Sequence, residues 1–347
     1  MIGRKGIRDA LLAAVLFGLS APIAKILVGN LSPQLLAGLL YIGSGIGLTI
    51  LALVRSGTPR ADPGLHSADI PFLAGAIAFG GIAAPVLLMF GLQRTPASSA
   101  SLLLNLEAVF TALIAWAIFH ENVNGRIAVG LLAIVAGGGV LSWNGSFELT
   151  EYAGPLAISA ACLCWGVDNN FTQRISAADP VRIASLKGLA AGTVNTVLAG
   201  WLGQWHFTRL IWVALALGFV SYGLSLVLYI RALRELGTAR AGNYFSVAPF
   251  VGAVAAVILW HEPINRGLLA AGALMAGGVW LHVTERHEHR HVHELLTHEH
   301  KHVHDEHHQH QHSPDDPVGE PHMHPHRHER LEHSHPHYPD IHHRHPH

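Results

Sequence analysis

Apolar residues fill the first 285 positions in blocks of about twenty, separated by short charged clusters. A helix rises about 1.5 Å per residue, so about 20 apolar residues cross the roughly 30 Å hydrocarbon core of a bilayer. Ten such blocks lie near 9–28, 33–54, 70–92, 96–119, 125–143, 153–173, 181–202, 209–232, 238–260 and 265–284. They predict an all-α membrane protein of ten transmembrane helices. Several blocks carry breakers, as at Gly18, Pro22, Pro85 and Pro249. Breakers survive in lipid only where neighbours or water re-satisfy the freed backbone groups. Gly43 with Gly47, and Gly188 with Gly192, have the small-xxx-small spacing of closely packed helices.

The first block follows Arg4, Lys5 and Arg8, as a signal peptide would, but no cleavage site is visible and further blocks follow; it reads as a retained first helix. With the N-terminus inside, the inside segments hold thirteen Lys and Arg residues, from Arg4 to Arg290, and the outside segments only Arg94, Arg209 and Arg266. This bias places both termini in the cytoplasm of a multi-pass protein of the inner (plasma) membrane. Charged residues are only 13% of the chain, against about a quarter in soluble domains, which agrees with lipid as the solvent. The net charge of −1 argues against a nucleic-acid partner. Cys162 and Cys164, inside an apolar block, cannot form a disulfide framework and read as packing residues.

The blocks repeat. Arg94 to Ala100, an apolar helix and then His120, Glu121 and Asn124 match Glu235 to Ala241, an apolar helix and then His261, Glu262 and Asn265, at an offset of 141. Upstream, Phe17-Gly18 matches Trp165-Gly166 at 148, and Ser32-Pro33 matches Asp179-Pro180 at 147. Each half holds five helices, an odd number, so the second half sits upside down relative to the first. Two inverted five-helix repeats, 7–144 and 152–285, are a known plan of secondary transporters, with substrate near the midplane. Asn124 and Asn265 each precede an apolar helix and can cap it, and Glu121 and Glu262 sit before the same positive helix ends.

Ten helices in a 5+5 repeat, with Glu closing the fourth and ninth, resemble the EamA-type transporters of the drug/metabolite transporter superfamily over roughly residues 7–285. The resemblance implies export or import of small metabolites such as amino acids and their derivatives. One departure stands out: the family often has Gly before the closing Glu, where this chain has His120 and His261.

Charged side chains at bilayer depth are costly and usually face a cavity or partner. Glu107 lies mid-way along the fourth block, two residues after Asn105; Asp168 heads the run Asp168, Asn169, Asn170 in the sixth. These predict a polar central cavity in which Glu107 or Asp168 carries a coupling proton. Asn105, Asn169, Asn170 and Asn243 then hydrogen-bond a small-molecule substrate. Lys25 is a further candidate, although Lys25 and Lys187 both stand near block ends, from which long side chains snorkel to the interface. The aromatic residues read as belts or packing.

The last 61 residues change regime: they hold 23 of the 28 histidines. The tail, 286–347, contains two copies, 287–312 and 322–347. In the first, His287, His289, His291 and His293 precede His298, His300 and His302, then His307, His308, His310 and His312. In the second, His322, His324, His326 and His328 precede His333, His335 and His337, then His342, His343, His345 and His347. Imidazole is the commonest metal ligand, and alternating His-x-His without thiolates suits Zn, Ni, Co or Cu without choosing among them. The composition is too polar to bury a core, which predicts a disordered tail.

Three functions compete: a secondary transporter, in the export direction, of a small metabolite such as an amino-acid derivative, with a cytoplasmic metal-binding tail; a divalent Ni/Co/Zn exporter; or a membrane-anchored metal buffer or sensor. The apolar blocks lack the His and Asp clusters of a metal path, which favours the first. The expected partners are substrate, membrane lipid, metal ions and a second copy as a homodimer. No nucleophile triad, P-loop or nucleotide fingerprint is present, so no enzyme and no required cofactor is expected.

Overall fold

A computed structural model describes residues 2–54, 65–119, 125–143, 152–176 and 178–284, and the backbone of 288–293, 296–302, 322–328 and 331–336. Within the helices, the side chains of 2–4, 119, 237–240, 243, 282 and 283 fall outside the description, as do His120, Glu121 and Asn124. The chain divides into two units, residues 1–285 with 339–347, and residues 286–338.

The described part of the first unit is helical throughout: α1 Ile2–Gly18, α2 Ser20–Val28, α3 Pro33–Val54, α4 Ile70–Ala76, α5 Ala84–Arg94, α6 Ala97–Leu103, α7 Leu106–Phe119, α8 Gly125–Ser142, α9 Ala153–Ile175, α10 Pro180–Trp201, α11 Leu210–Leu217, α12 Ser225–Phe245, α13 Ala248–Trp260 and α14 Arg266–Val283. Among the described residues six helical stretches are long and apolar enough to cross a bilayer on length and composition alone: 5–28, 33–54, 67–94, 97–118, 125–142 and 210–236. The other predicted blocks are helical too. However, α9 and α10 carry Asp168, Arg174, Arg182 and Lys187, and α13 and α14 are short or apolar only in part. Leu53, Ile118, Leu132, Ile258, Leu269 and Trp280 point outward from the bundle, as lipid-facing side chains do.

Interruptions divide the blocks. Pro22 has no N–H, so the carbonyl of Gly18 has no donor one turn on, and the first block kinks between α1 and α2. Thr95 and Pro96 separate α5 from α6, and Leu104 and Asn105 separate α6 from α7. Two stretches, Ile77–Ala83 and Gly218–Leu224, are π-helical, with the amide of Ala84 reaching back to Phe79 and that of Ser225 to Val220. They are 141 residues apart, the offset of the repeat. Within α12 the rings of Tyr229 and Phe245 lie 4.6 Å apart. Sixteen residues of straight helix would separate them by about 24 Å, so the chain reverses between them. That reversal agrees with a boundary between blocks eight and nine.

Helices that match between the halves pack against each other head to tail. On α3 and α10, a Cβ at Gly38 would meet Asn195 and Thr196, and one at Gly188 would meet the backbone of Gly45. On α8 and α14, Gly137 abuts Ala271 and Met275, while Gly278 abuts Gly130 and Ile134. Gly137 corresponds to Gly278 and Gly130 to Ala271, so the two contacts exchange under the offset. Gly43 and Gly47, singled out by spacing, abut Leu215 and Phe219. The small residues thus sit where backbones approach.

In the second unit β1 Glu288–His293 pairs antiparallel with β4 Leu331–Pro336, and β2 Leu296–His302 with β3 His322–His328. The rest of the tail, on which the expectation of disorder also falls, lies outside the described residues. Alternation of His with other residues has the period of two that a strand presents.

His261 closes α13 at φ 50° and ψ 37°, the left-handed region, and is exposed. This explains why glycine suits the position: a Cβ there costs roughly 1–2 kcal/mol. His261→Gly should therefore stabilise the protein by on the order of 1 kcal/mol. The check is the thermal unfolding midpoint in detergent, which should rise by a few degrees; an unchanged or lower midpoint would contradict the strain.

Candidate functional site

The charged residues of the apolar blocks meet where α7, α9 and α10 pack beside the π-helical stretch 77–83. Asp168 on α9 is ion-paired with Lys187 on α10. Their residues are only 4% and 3% exposed, which rules out snorkelling for Lys187. Thr172 Oγ1, one turn on, donates to Asp168 Oδ1 at 2.9 Å. Gly80 faces the carboxylate, and a Cβ there would overlap it. The helix distortion also turns carbonyls toward side-chain donors. Gly80 O accepts from Tyr41 O–H at 2.6 Å and from Trp165 Nε1 at 3.1 Å, and Asn195 Nδ2 donates to Gly81 and Ile82 O, each at 3.3 Å. A π-helical turn inside an α-helix commonly marks a functional site.

Next to this pair stands Glu107, half-buried in the first turn of α7, where the helix dipole favours a carboxylate. Asn169 Nδ2 donates to Glu107 Oε1 at 2.8 Å and to Thr111 Oγ1 at 3.3 Å. Asn170 turns the other way along the same seam and donates to Thr111 O at 3.2 Å and Gly166 O at 2.8 Å. Glu107 and Asn169 come from opposite halves of the repeat, so the contact joins the halves.

An aromatic group lies against this cluster. Phe17 meets Trp165 at 5.9 Å, Tyr222 at 5.8 Å and Phe245 at 5.5 Å, and Tyr41 meets Tyr222 at 5.5 Å. Sequence alone assigned these rings to packing or belts. Around the kink at Gly18 the hydroxyls of Ser20, Ser101 and Tyr222 are buried, those of Ser20 and Tyr222 beside each other.

Four sequence candidates therefore converge: Glu107, Asp168, Asn169 and Asn170. Asn105 and Lys25 do not. Asn105 is buried, but its Nδ2 donates to Leu102 O at 3.0 Å and faces Met275 Sδ at 3.7 Å, away from Glu107. Lys25 serves a different place. Its ammonium donates to Leu92 O and to Thr95 O, the latter at 2.8 Å, at the end of α5. The amides of Ala97 and Ser98 at the start of α6 donate to Glu262, at 2.7 and 2.9 Å, and the Ser98 hydroxyl donates to it too. A cation thus covers the carbonyl end of the break at Thr95–Pro96, and an anion from the other half covers its amide end. Glu262 caps α6 rather than its own following helix, whereas Asn265 does cap α14, accepting from Leu268 N at 2.8 Å. The side chain of Asn243 lies outside the described residues.

Lys187 as a partner, and Tyr41, Trp165, Thr111 and Thr172 as supporting groups, were not read from sequence. The available signal was charge balance: Asp168 and Lys187 are opposite charges buried in successive blocks of one half.

Known proteins agree with this architecture. The sequence profile of the EamA-like transporter family matches residues 4–143 and again residues 152–284. An uncharacterized transporter of Methanothermobacter thermautotrophicus is 28% identical over 287 residues, which cover 78% of this chain and 83% of the relative. A Salmonella typhimurium protein named "Probable amino-acid metabolite efflux pump" is 26% identical over 291 residues, 79% of this chain and 93% of the relative. A protein solved by crystallography shares the fold with a TM-score of 0.60 at 21% identity, over 82% of this chain and 98% of its own.

Removing one partner of a buried ion pair leaves an uncompensated charge and typically loses about 3–5 kcal/mol. Asp168→Asn and Lys187→Met should each lower the thermal midpoint in detergent sharply. The double variant should lose clearly less than the sum of the two. Additive losses would show that the two groups do not depend on each other.

Proposed function

The chain belongs to the EamA-like transporter family, and on that premise we propose that it is a secondary transporter exporting a small metabolite such as an amino-acid derivative. The observation that carries this reading is the Glu107–Asn169 contact between the halves, beside the buried Asp168–Lys187 pair. Charge held at that depth in a multi-pass membrane protein is costly and marks a transport path. The aromatic group and the buried hydroxyls nearby supply apolar walls and hydrogen-bonding sites for a small amphipathic solute. The printed name of the Salmonella relative supports the solute class.

The two halves are inverted repeats forming ten spans, with both termini in the cytoplasm of the inner membrane. Head-to-tail packing of α3 on α10 and of α8 on α14 supports the inversion. The excess of Lys and Arg on the side of the N-terminus supports the orientation. Glu107 carries the coupling proton: its carboxylate exchanges a proton as the site faces one side and then the other. Asp168 and Lys187 hold the neighbouring wall in place as a neutral pair.

The test is Glu107→Gln in proteoliposomes with an imposed pH gradient. Glutamine keeps the shape and an acceptor for Asn169, but cannot carry a proton. Gradient-driven transport of an amino-acid panel should vanish while exchange of substrate at equal pH persists. Unchanged gradient-driven transport removes Glu107 from coupling.

A second reading concerns the tail. Its duplicated histidine pattern supports binding of Zn, Ni, Co or Cu ions at the cytoplasmic face, as a buffer beside the transporter or as a collector for metal export. A version ending at Arg286 separates the two. Loss of host resistance to nickel, cobalt and zinc in the truncated version favours metal export, and unaffected amino-acid efflux favours the metabolite transporter.

A further inference from the structure

The tail repeats more than a composition. In its first copy eight histidines, from His287 to His304, are spaced so that the pattern reads the same in both directions about the Leu295–Leu296 bond. Seven of those spacings recur in the second copy, from His322 to His337. Two copies of a mirror-symmetric pattern, run antiparallel, set histidine against histidine.

The strand pairing has that register. In the β1–β4 ladder His289 faces His335 and His291 faces His333. In the β2–β3 ladder His298 faces His326, His300 faces His324 and His302 faces His322. The intervening rungs pair other residues, such as Arg290 with Ser334 and Glu299 with Pro325. Because strand side chains alternate between faces, the histidine rungs of each ladder share one face.

The spacing then fits one ion. Facing positions on a strand pair are about 4.5–5.5 Å apart at Cβ, and the next rung on the same face lies about 7 Å along. One strand alone offers only a line of ligands on one side of an ion. Two facing strands put four histidine positions at the corners of a small rectangle, and four ligands is the number that a tetrahedral zinc takes.

We propose that the two copies form shared metal sites, each taking two histidines from either copy. One is built from His289, His291, His333 and His335, and a second lies on adjacent histidine rungs of the β2–β3 ladder. The ligand is a borderline divalent ion of the zinc, nickel, cobalt and copper class. Binding then clamps one copy to the other, which gives the duplication a physical purpose. This proposal rests on the reading of the tail as a metal binder.

The experiment titrates the full-length protein in detergent with zinc alone, against a chromophoric chelator. Three variants are compared with the intact chain: His289→Ala with His291→Ala, His333→Ala with His335→Ala, and all four together. Each pair of substitutions should remove one tightly bound zinc. The fourfold variant should lose no more than either pair, since both pairs serve one ion. If the fourfold variant loses two ions, or if neither pair changes the count, the shared sites are overturned while tail metal binding stands. If the intact chain binds no more zinc than the version ending at Arg286, the metal reading itself fails.

Discussion

A backbone amide or carbonyl released from a helix inside lipid must find a partner, because the hydrocarbon offers none. That constraint accounts for several of the polar side chains in the apolar blocks of this protein. Gly80 O takes Tyr41 and Trp165, and Gly81 and Ile82 O take Asn195. The break at Thr95–Pro96 takes Lys25 on one side and Glu262 on the other. Leu103 O, beside the next break, takes the Cys162 thiol at 3.7 Å. Several interruptions are therefore met by a specific donor or acceptor from another helix, and these bonds lock the bundle laterally.

Once those groups are accounted for, the remainder is small: Asp168 with Lys187, and Glu107 with Asn169. The repeat sharpens the distinction. Under the offsets of 141, 147 and 148, Glu107 corresponds to Ala248, Lys187 to Leu40 and Asp168 to Ser20. The π-helical stretches and the close glycine contacts occur in both halves, but these charges occur once. A duplicated scaffold with unduplicated charge is what a shared site requires. Symmetry lets each half move like the other, while a second set of charges would double the desolvation cost without adding a second path.

What could be read from the chain follows from the range of the interactions. Apolar block length and the spacing of Gly43, Gly47, Gly188 and Gly192 are local or periodic, and they placed the helices and two of their contacts. The match of His261-Glu262-Asn265 to His120-Glu121-Asn124 disclosed the repeat, and Asn265 caps α14 as its position suggested. Glu262 and Lys187 were misread for one reason. Their partners are 164 and 19 residues away, and no periodicity carries that information. Lys25 and Lys187 looked alike as lysines near block ends. One covers carbonyls at a helix break and the other is paired in the interior, a difference set entirely by which helix stands opposite. The histidine tail was legible in composition but not in form. Its polar composition predicted disorder, while its alternation of histidine has the period of two of a strand.

The breaks also bear on how such a bundle could move. A straight helix packed over its whole length resists bending, whereas α5 and α6 are joined only through Thr95 and Pro96, and α6 and α7 only through Leu104 and Asn105. Lys25 and Glu262 hold the first joint by charge-assisted bonds from two different elements, so bending there requires both to let go. Trp260 Nε1 donates to Pro22 O at 3.1 Å in the neighbouring elements, which ties α13 to the kinked first block at the same end. Glu107 lies just beyond the second joint, at the start of α7, so its hydrogen bond from Asn169 ties α9 to the chain immediately after that joint.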